Sequence, residues 1–244
     1  MVHSRETRAR ASETKFLVEP EMAAQIQRWA RENLDADPNG TGPFADEYLT
    51  SSLYFDTPHL DVLRRHGSYG RAKYRVRRYS SGSFAFLERK LRRPRLVAKR
   101  RTKVDLEALA VLENGQAPAD WAGQWFLRRL EARGLRPTCQ VSYHRTARGV
   151  IDDGGPARLT LDDSIRAHAI DGVRFSDDLG VSIAEPRLIL ELKFRGYMPA
   201  AFKRLIEEFA LSPSPASKYR YGMAAIGHTV ADPADSARAS GVHA

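Results

Sequence analysis

The sequence predicts an α+β fold, a mainly antiparallel sheet of about eight strands closed into a barrel and flanked by helices. Three observations carry this. Segments alternating between charged and apolar residues recur along the chain, with turn formers between them. Strands and helices do not follow the strict βα alternation of a parallel sheet. The charged strand faces are mostly Arg and Lys, a crowding of like charge that destabilises an open sheet and calls for a compensating anion.

In chain order, the first strand is "ETKFLV". It leads into "EPEMAAQIQRWARENL", where Pro20 suits a first helical turn and Met22, Ile26, Trp29 and Leu34 mark an apolar stripe. "DADPNGTGPFADE" is a loop, "YLTSSLYFDT" a strand and "PHLDVLRRHG" a short helix closed by glycine. Three basic runs between residues 71 and 104 form a meander, split by "SSGS" and by the Arg93–Pro94 step. "DLEALAVLENG" and "DWAGQWFLRRLEARG" are helical. "TCQVSYHRTAR", "ARLTLDDSI" and "RLILELKFR" supply further strands. "PAAFKRLIEEFAL" is a helix, and "SPSPASKYRYG" leads into a last short one. A flexible start over 1–9, one domain over 10–228 and a disordered tail over 229–244 complete the expected organisation.

With 244 residues and a net charge of +9, the chain has material for a core and implies a polyanionic partner. The single cysteine, Cys139, excludes an internal disulfide and any CxxC metal site, and its strand context favours a buried thiol. No apolar run is long enough to span a bilayer and no secretory signal opens the chain, so a cytoplasmic location is expected. Gly-rich phosphate loops are absent, as are HxH and HExxH spacings. Asp56 reads as a turn or helix cap, and Tyr219 and Tyr221 as packing.

Period two places Arg71, Lys73, Arg75 and Arg77 on one face, opposite Ala72, Tyr74 and Val76. Likewise Lys99, Arg101 and Lys103 share a face, Glu88 aligns with Lys90, Glu191 with Lys193, and Glu13 with Lys15. In "ARLTLDD", Arg158, Thr160 and Asp162 oppose Leu159 and Leu161. A solvated outer face is the plain reading of any one such strand. If the sheet closes with apolar sides outward, the charged faces line a lumen wide enough for one slim ligand. Arg and Lys suit a chain of phosphates, and a few Glu suit a divalent cation that bridges phosphate oxygens.

The ordered set "ETKF", "YFDT", "KYRVRRY", "FLERK" with "KRR", "VSYHRTA", "ARLTLDD", "LILELKF" and "SKYRYG" resembles the VTC-type polyphosphate polymerase domain. That domain belongs to the triphosphate tunnel metalloenzyme (CYTH-like) superfamily, and the likeness spans about residues 10 to 226. The resemblance implies transfer of the γ-phosphoryl of a nucleoside triphosphate such as ATP to a growing polyphosphate chain, with Mn²⁺ or Mg²⁺. Carried over, Arg75, Arg77, Lys90, Arg145, Arg158 and Lys218 would meet the reacting phosphates. Lys15 and Lys99 or Arg101 would bind phosphate, joined by Lys73 and Lys193 from the same faces. Glu191 would hold the metal, with Glu13 and Glu88 as helpers near the same mouth. The hydrolase branch opens with ExExK, whereas Ala11 stands at the first Glu position of "ASETK", which favours the polymerase-like branch. The chain reads as a stand-alone, bacterial-type domain.

Alternatives of the same fold are an inorganic triphosphatase or polyphosphatase, and a module that binds polyphosphate without turnover. Nucleic-acid binding ranks last, because Tyr74 and Tyr79 fall off the basic face or at its end and leave no stacking platform. A membrane-protein partner and the oligomeric state stay open.

Overall fold

A computed structural model of the chain describes residues 4–7, 11–80, 82–93, 96–178 and 180–228. The expected tail over 229–244 lies outside the described residues, as do 1–3, 8 and 9 of the expected flexible start. Within that start, Ser4–Thr7 is a strand, β1.

Antiparallel strands dominate, as expected, and the described residues form eleven where about eight were expected. Ala11–Val18 is β2 and Pro20–Asn33 is α1, with Pro20 in its first turn. The short β3 (Asp35–Ala36) precedes β4 (Glu47–Asp56). The basic meander is β5 (Ala72–Tyr79), β6 (Phe84–Arg93) and β7 (Leu96–Asp105). Then follow α2 (Ala110–Asn114), α3 (Gln124–Ala132), the long hairpin β8 (Arg136–Asp152) and β9 (Gly155–Ala169), and β10 (Val181–Ser182). The chain ends in β11 (Leu188–Arg195), α4 (Ala200–Glu208) and α5 (Lys218–Ala225).

One element differs in kind. "PHLDVLRRHG" forms a series of turns and then a 3₁₀ helix at Gly67–Arg71, instead of a helix of its own. Leu60 and Arg65 take left-handed backbone (φ 58° and 57°), which breaks helical continuity. The buried Asp56 carboxylate holds the amides of Thr57, Val62 and Leu63 at 2.7, 2.8 and 2.9 Å, so its expected capping role falls on a loop.

The strand order is β1-β7-β6-β5-β4-β8-β9-β11-β2, with β3 and β10 as side branches. The expected barrel is therefore not closed by backbone hydrogen bonds among the described residues, since β1 and β2 are the two ends of the path. Those ends nevertheless lie close together. Four peptide links join Thr7 to Ala11, which limits their separation to about 15 Å. In register with Thr7 through Lys99, Lys90 of β6 reaches Glu13 of β2 at 2.7 Å.

Apolar strand faces turn outward onto helices. Phe16, Leu159, Leu161, Leu190 and Leu192 pack with Ile26, Trp29 and Ala30 of α1 and Phe202 and Leu205 of α4. Tyr74, Val76, Leu87 and Phe55 pack with Phe126 and Leu130 of α3. This leaves the charged faces on the inner side. No helix among the described residues is long and apolar enough to cross a membrane.

Candidate functional site

The inner faces enclose a cavity of about 420 Å³, in the size range of small-ligand sites. Twelve of its lining residues are Lys or Arg and three are Glu, so its walls carry a large positive excess. Of the residues singled out in the sequence, Lys15, Lys73, Arg75, Arg77, Lys90, Lys99, Arg145, Arg158, Lys193, Lys218, Glu13, Glu88 and Glu191 all line it. Arg101 does not. It stands behind Glu88, lies over the Phe86 ring at 3.5 Å and donates to the Tyr79 hydroxyl at 2.9 Å.

Strand register explains how the charges are met. Arg75, Glu88 and Arg101 are direct cross-strand partners on β5, β6 and β7. Glu88 accepts from Arg75 Nε at 2.6 Å, and its other oxygen is ion-paired with Lys99 at 2.8 Å and Arg101 at 3.1 Å. Burial works against ionising this carboxyl, but Arg75, Arg77, Lys99 and Arg101 outweigh it and hold the pKa well below the usual range.

On the opposite wall, Glu191 faces Lys15 and Lys193 faces Glu13 across β11 and β2. Lys15 Nζ bridges Glu13 (3.2 Å) and Glu191 (3.4 Å), while Lys193 pairs with Glu191 and Lys90 with Glu13. Glu13 and Glu191 thus share one site, and a separate set of cations meets Glu88. All three carboxylates line the cavity, Glu88 from β6, Glu13 from β2 and Glu191 from β11.

Asp162 shares the Arg158 face in the alternation, and nothing else in the sequence marks it as a site residue. It is fully buried, accepts two bonds from Arg145 at 2.6 and 2.8 Å, and pairs with Lys218. Burial opposes its ionisation, yet Arg145 and Lys218 bring its pKa down to about 2. Ser52 and Ser217 were also missed. They accept from Arg77 and Lys73, each at 3.0 Å, and nothing in their local sequence marks them out.

Among the described residues, three of the cations that line the cavity have no carboxylate partner: the exposed Arg195, and the more covered Arg77 and Lys73. Arg77 is buried and bonded to Ser52 alone, with its guanidinium 5.9 Å from the Tyr79 ring. Lys73 has its pKa lowered to about 7, first by burial and then by Lys15, Lys90 and Arg75. Arg158 is held by the Tyr48 hydroxyl and by Asp37 at 2.6 Å. Tyr219 does more than pack, since its hydroxyl donates to Asp56.

No cluster of three or more acidic, His or Cys groups suited to a metal occurs among the described residues. Glu13 and Glu191 still fit a hard divalent cation, because Mg²⁺-type ions bind through one or two carboxylates and take substrate phosphate oxygens for the rest.

A cation-walled cavity inside an antiparallel α+β sheet, with carboxylates set among the cations, defines a protein built to hold a polyanion. Solved structures share the fold. A candidate adenylate cyclase of Bacillus halodurans aligns with a TM-score of 0.53 at 16% identity, over 86% of this chain and 95% of its own. A candidate adenylyl cyclase of Hippeastrum, described as having a dominant triphosphatase activity, aligns with a TM-score of 0.51 at 14% identity, over 90% and 97%. No curated protein matches the chain. The family model of the VTC domain matches residues 10–226, and the chain belongs to that family.

Proposed function

We propose that this protein is a cytoplasmic, metal-dependent polyphosphate polymerase that moves the γ-phosphoryl of a nucleoside triphosphate onto a polyphosphate chain in the tunnel. The excess of Lys and Arg over Glu on the cavity wall carries the reading, because only a multiply charged ligand offsets it. Arg75 and Arg77 would grip the transferring phosphoryl through planar N–H donors, and Arg145, Arg158, Lys90 and Lys218 would hold the flanking phosphates. Lys15, Lys73, Lys99 and Lys193 would extend that hold along the chain, with Arg101 supporting it from behind Glu88. The attacking oxygen belongs to the chain end, so the protein needs no nucleophile of its own and acts by positioning and charge stabilisation. Glu13 and Glu191 would hold Mn²⁺ or Mg²⁺ with phosphate oxygens, and the bound ion would neutralise charge on those oxygens.

A triphosphatase is the second reading. It is favoured by Glu13 and Lys15, which retain the latter part of the hydrolase opening motif, and by the activity described for the Hippeastrum protein of the same fold. Incubation with ATP and Mn²⁺, followed by gel resolution of polyphosphate, separates the two. A ladder of chains that vanishes in Glu191→Gln supports the polymerase. Orthophosphate released from tripolyphosphate without chains moves the assignment to the hydrolase. Tight binding without turnover, unchanged in Glu191→Gln, leaves a polyphosphate receptor.

A further inference from the structure

We propose that Arg64, Arg65 and Arg71 form a binding track outside the tunnel mouth for the portion of a polyphosphate chain that the tunnel cannot hold. The inference rests on the reading of the cavity as a polyphosphate site and extends it onto the surface. A cavity of about 420 Å³ is of small-ligand size, so most of a long chain must lie outside it.

Exposure grades outward along one line of cations. Arg77 is buried, Arg75 and Lys73 are partly covered, and Arg71, two residues before Lys73, is exposed. Same-side residues on a strand are ~6.6–6.8 Å apart, so Arg77, Arg75 and Lys73 step along one side of β5, and Arg71 closes the 3₁₀ turn that leads into it. The loop that feeds this strand folds back on itself. A Cβ added at Gly70 would lie 2.6 Å from the Arg65 carbonyl oxygen, so the 3₁₀ turn touches the Arg64–Arg65 segment directly. Arg65 is close enough that its charge contributes to the lowered pKa of Lys73.

These arginines are uncommitted. Arg64, Arg65 and Arg71 are exposed, and none has an ion pair among the described residues, whereas most cavity cations do. The acid of the segment, Asp61, is already engaged by the Thr57 hydroxyl at 2.6 Å and His66 Nδ1 at 3.2 Å. The backbone beneath is fixed. Val62 and Leu63 are buried, their amides are held by Asp56, and Arg220 donates to the Leu63 carbonyl at 3.0 Å. A rigid loop that presents unpaired guanidiniums beside a cationic mouth suits an extended chain of phosphates, which guanidinium groups grip two bonds at a time.

The test uses the full chain with two probes, inorganic tripolyphosphate and long-chain inorganic polyphosphate, and the triple variant Arg64→Gln/Arg65→Gln/Arg71→Gln. Long-chain affinity is expected to fall ~10-fold or more, with a shallower salt dependence, by about 2 in the log–log slope. Tripolyphosphate affinity is expected to stay within about two-fold. Lys203→Gln/Arg204→Gln, which removes exposed charge from α4, is expected to leave both unchanged. An unchanged long-chain affinity, or an equal loss for both probes, overturns the track while the cavity reading stands. A parent protein that binds neither probe overturns the cavity reading itself. Should the triple variant unfold by circular dichroism, Arg64→Gln/Arg71→Gln leaves the left-handed Arg65 in place, and the same criteria apply to it.

Discussion

Asp162 is the point at which the cavity's electrostatics can be measured as stability. Its carboxylate is fully buried between Arg145 and Lys218, and its pKa is about 2 against an ordinary 3.8. At about 1.4 kcal/mol per pH unit, that gap corresponds to roughly 2 to 3 kcal/mol of folding free energy. Asp162→Asn keeps the shape but strands two buried cations, for which the expected cost is ~3–5 kcal/mol. In a chain of this size that lowers Tm by roughly 6 to 20 °C. The pH dependence has a definite sign. Because the folded pKa is depressed, the stabilisation is complete above the unfolded value near 3.8 and is lost as pH falls through about 2. Urea unfolding followed by circular dichroism at stepped pH should give a constant deficit from pH 5 to 8 that narrows between pH 4 and 2. Tripolyphosphate should return part of the lost stability by supplying an anion to the same cations. A deficit below about 1 kcal/mol at pH 7, or one that does not narrow in acid, would refute the reasoning and mean that Arg145 and Lys218 find other counter-charges.

Removal of Glu88 should separate stability from affinity. Glu88→Gln frees Arg75, Lys99 and Arg101, so unfolding should cost ~3–5 kcal/mol less while tripolyphosphate binds severalfold tighter by calorimetry. Weaker binding would instead make Glu88 a metal ligand. Lys73, with a pKa of about 7, should take up a proton when a polyanion binds at pH 8, so affinity should fall as pH rises from 6 to 8.5. Calorimetry in buffers of different ionisation enthalpy reads the uptake, and the same proton count in Lys73→Met would exclude Lys73 as its source. Cys139 is fully buried and its thiol is pushed up to about 12 by burial, so maleimide labelling at pH 8 should require unfolding. Rapid labelling of the native chain would contradict that burial.

What was legible in the sequence was the period. Alternation in "KYRVRRY" or "LILELKF" fixes which side chains share a face, and the cations so grouped do line one cavity. Cross-strand relations were less accessible, because register depends on where hairpins turn. Glu88 looked equivalent to Glu13 and Glu191 from its neighbours in the chain, yet pairing on β5–β6–β7 commits it to Arg75 and Arg101. Asp162 sat in plain view on an alternating face, and only the β8–β9 pairing Arg145↔Asp162 reveals its bidentate partner. The turn series after Asp56 escaped because its backbone is organised by a buried carboxylate, a contact with no local signature. Strand number was underestimated where two-residue strands such as β3 and β10 leave no period to detect.

The seam between β2 and the meander has a mechanical meaning. A ring closed by a continuous ladder has a fixed circumference, since widening it breaks a column of backbone bonds. Here one side is fastened by the short link from Thr7 to Ala11 and by side-chain bridges such as Lys90–Glu13, whose half-exposed lysine makes the contact worth ~1 kcal/mol or less. Among the described residues this line lacks the backbone ladder that joins the other neighbours in the path, so the cavity should yield there first. Its width should respond to ionic strength and to whatever anion competes for Lys90, so that a bulky hydrated guest loosens its own passage.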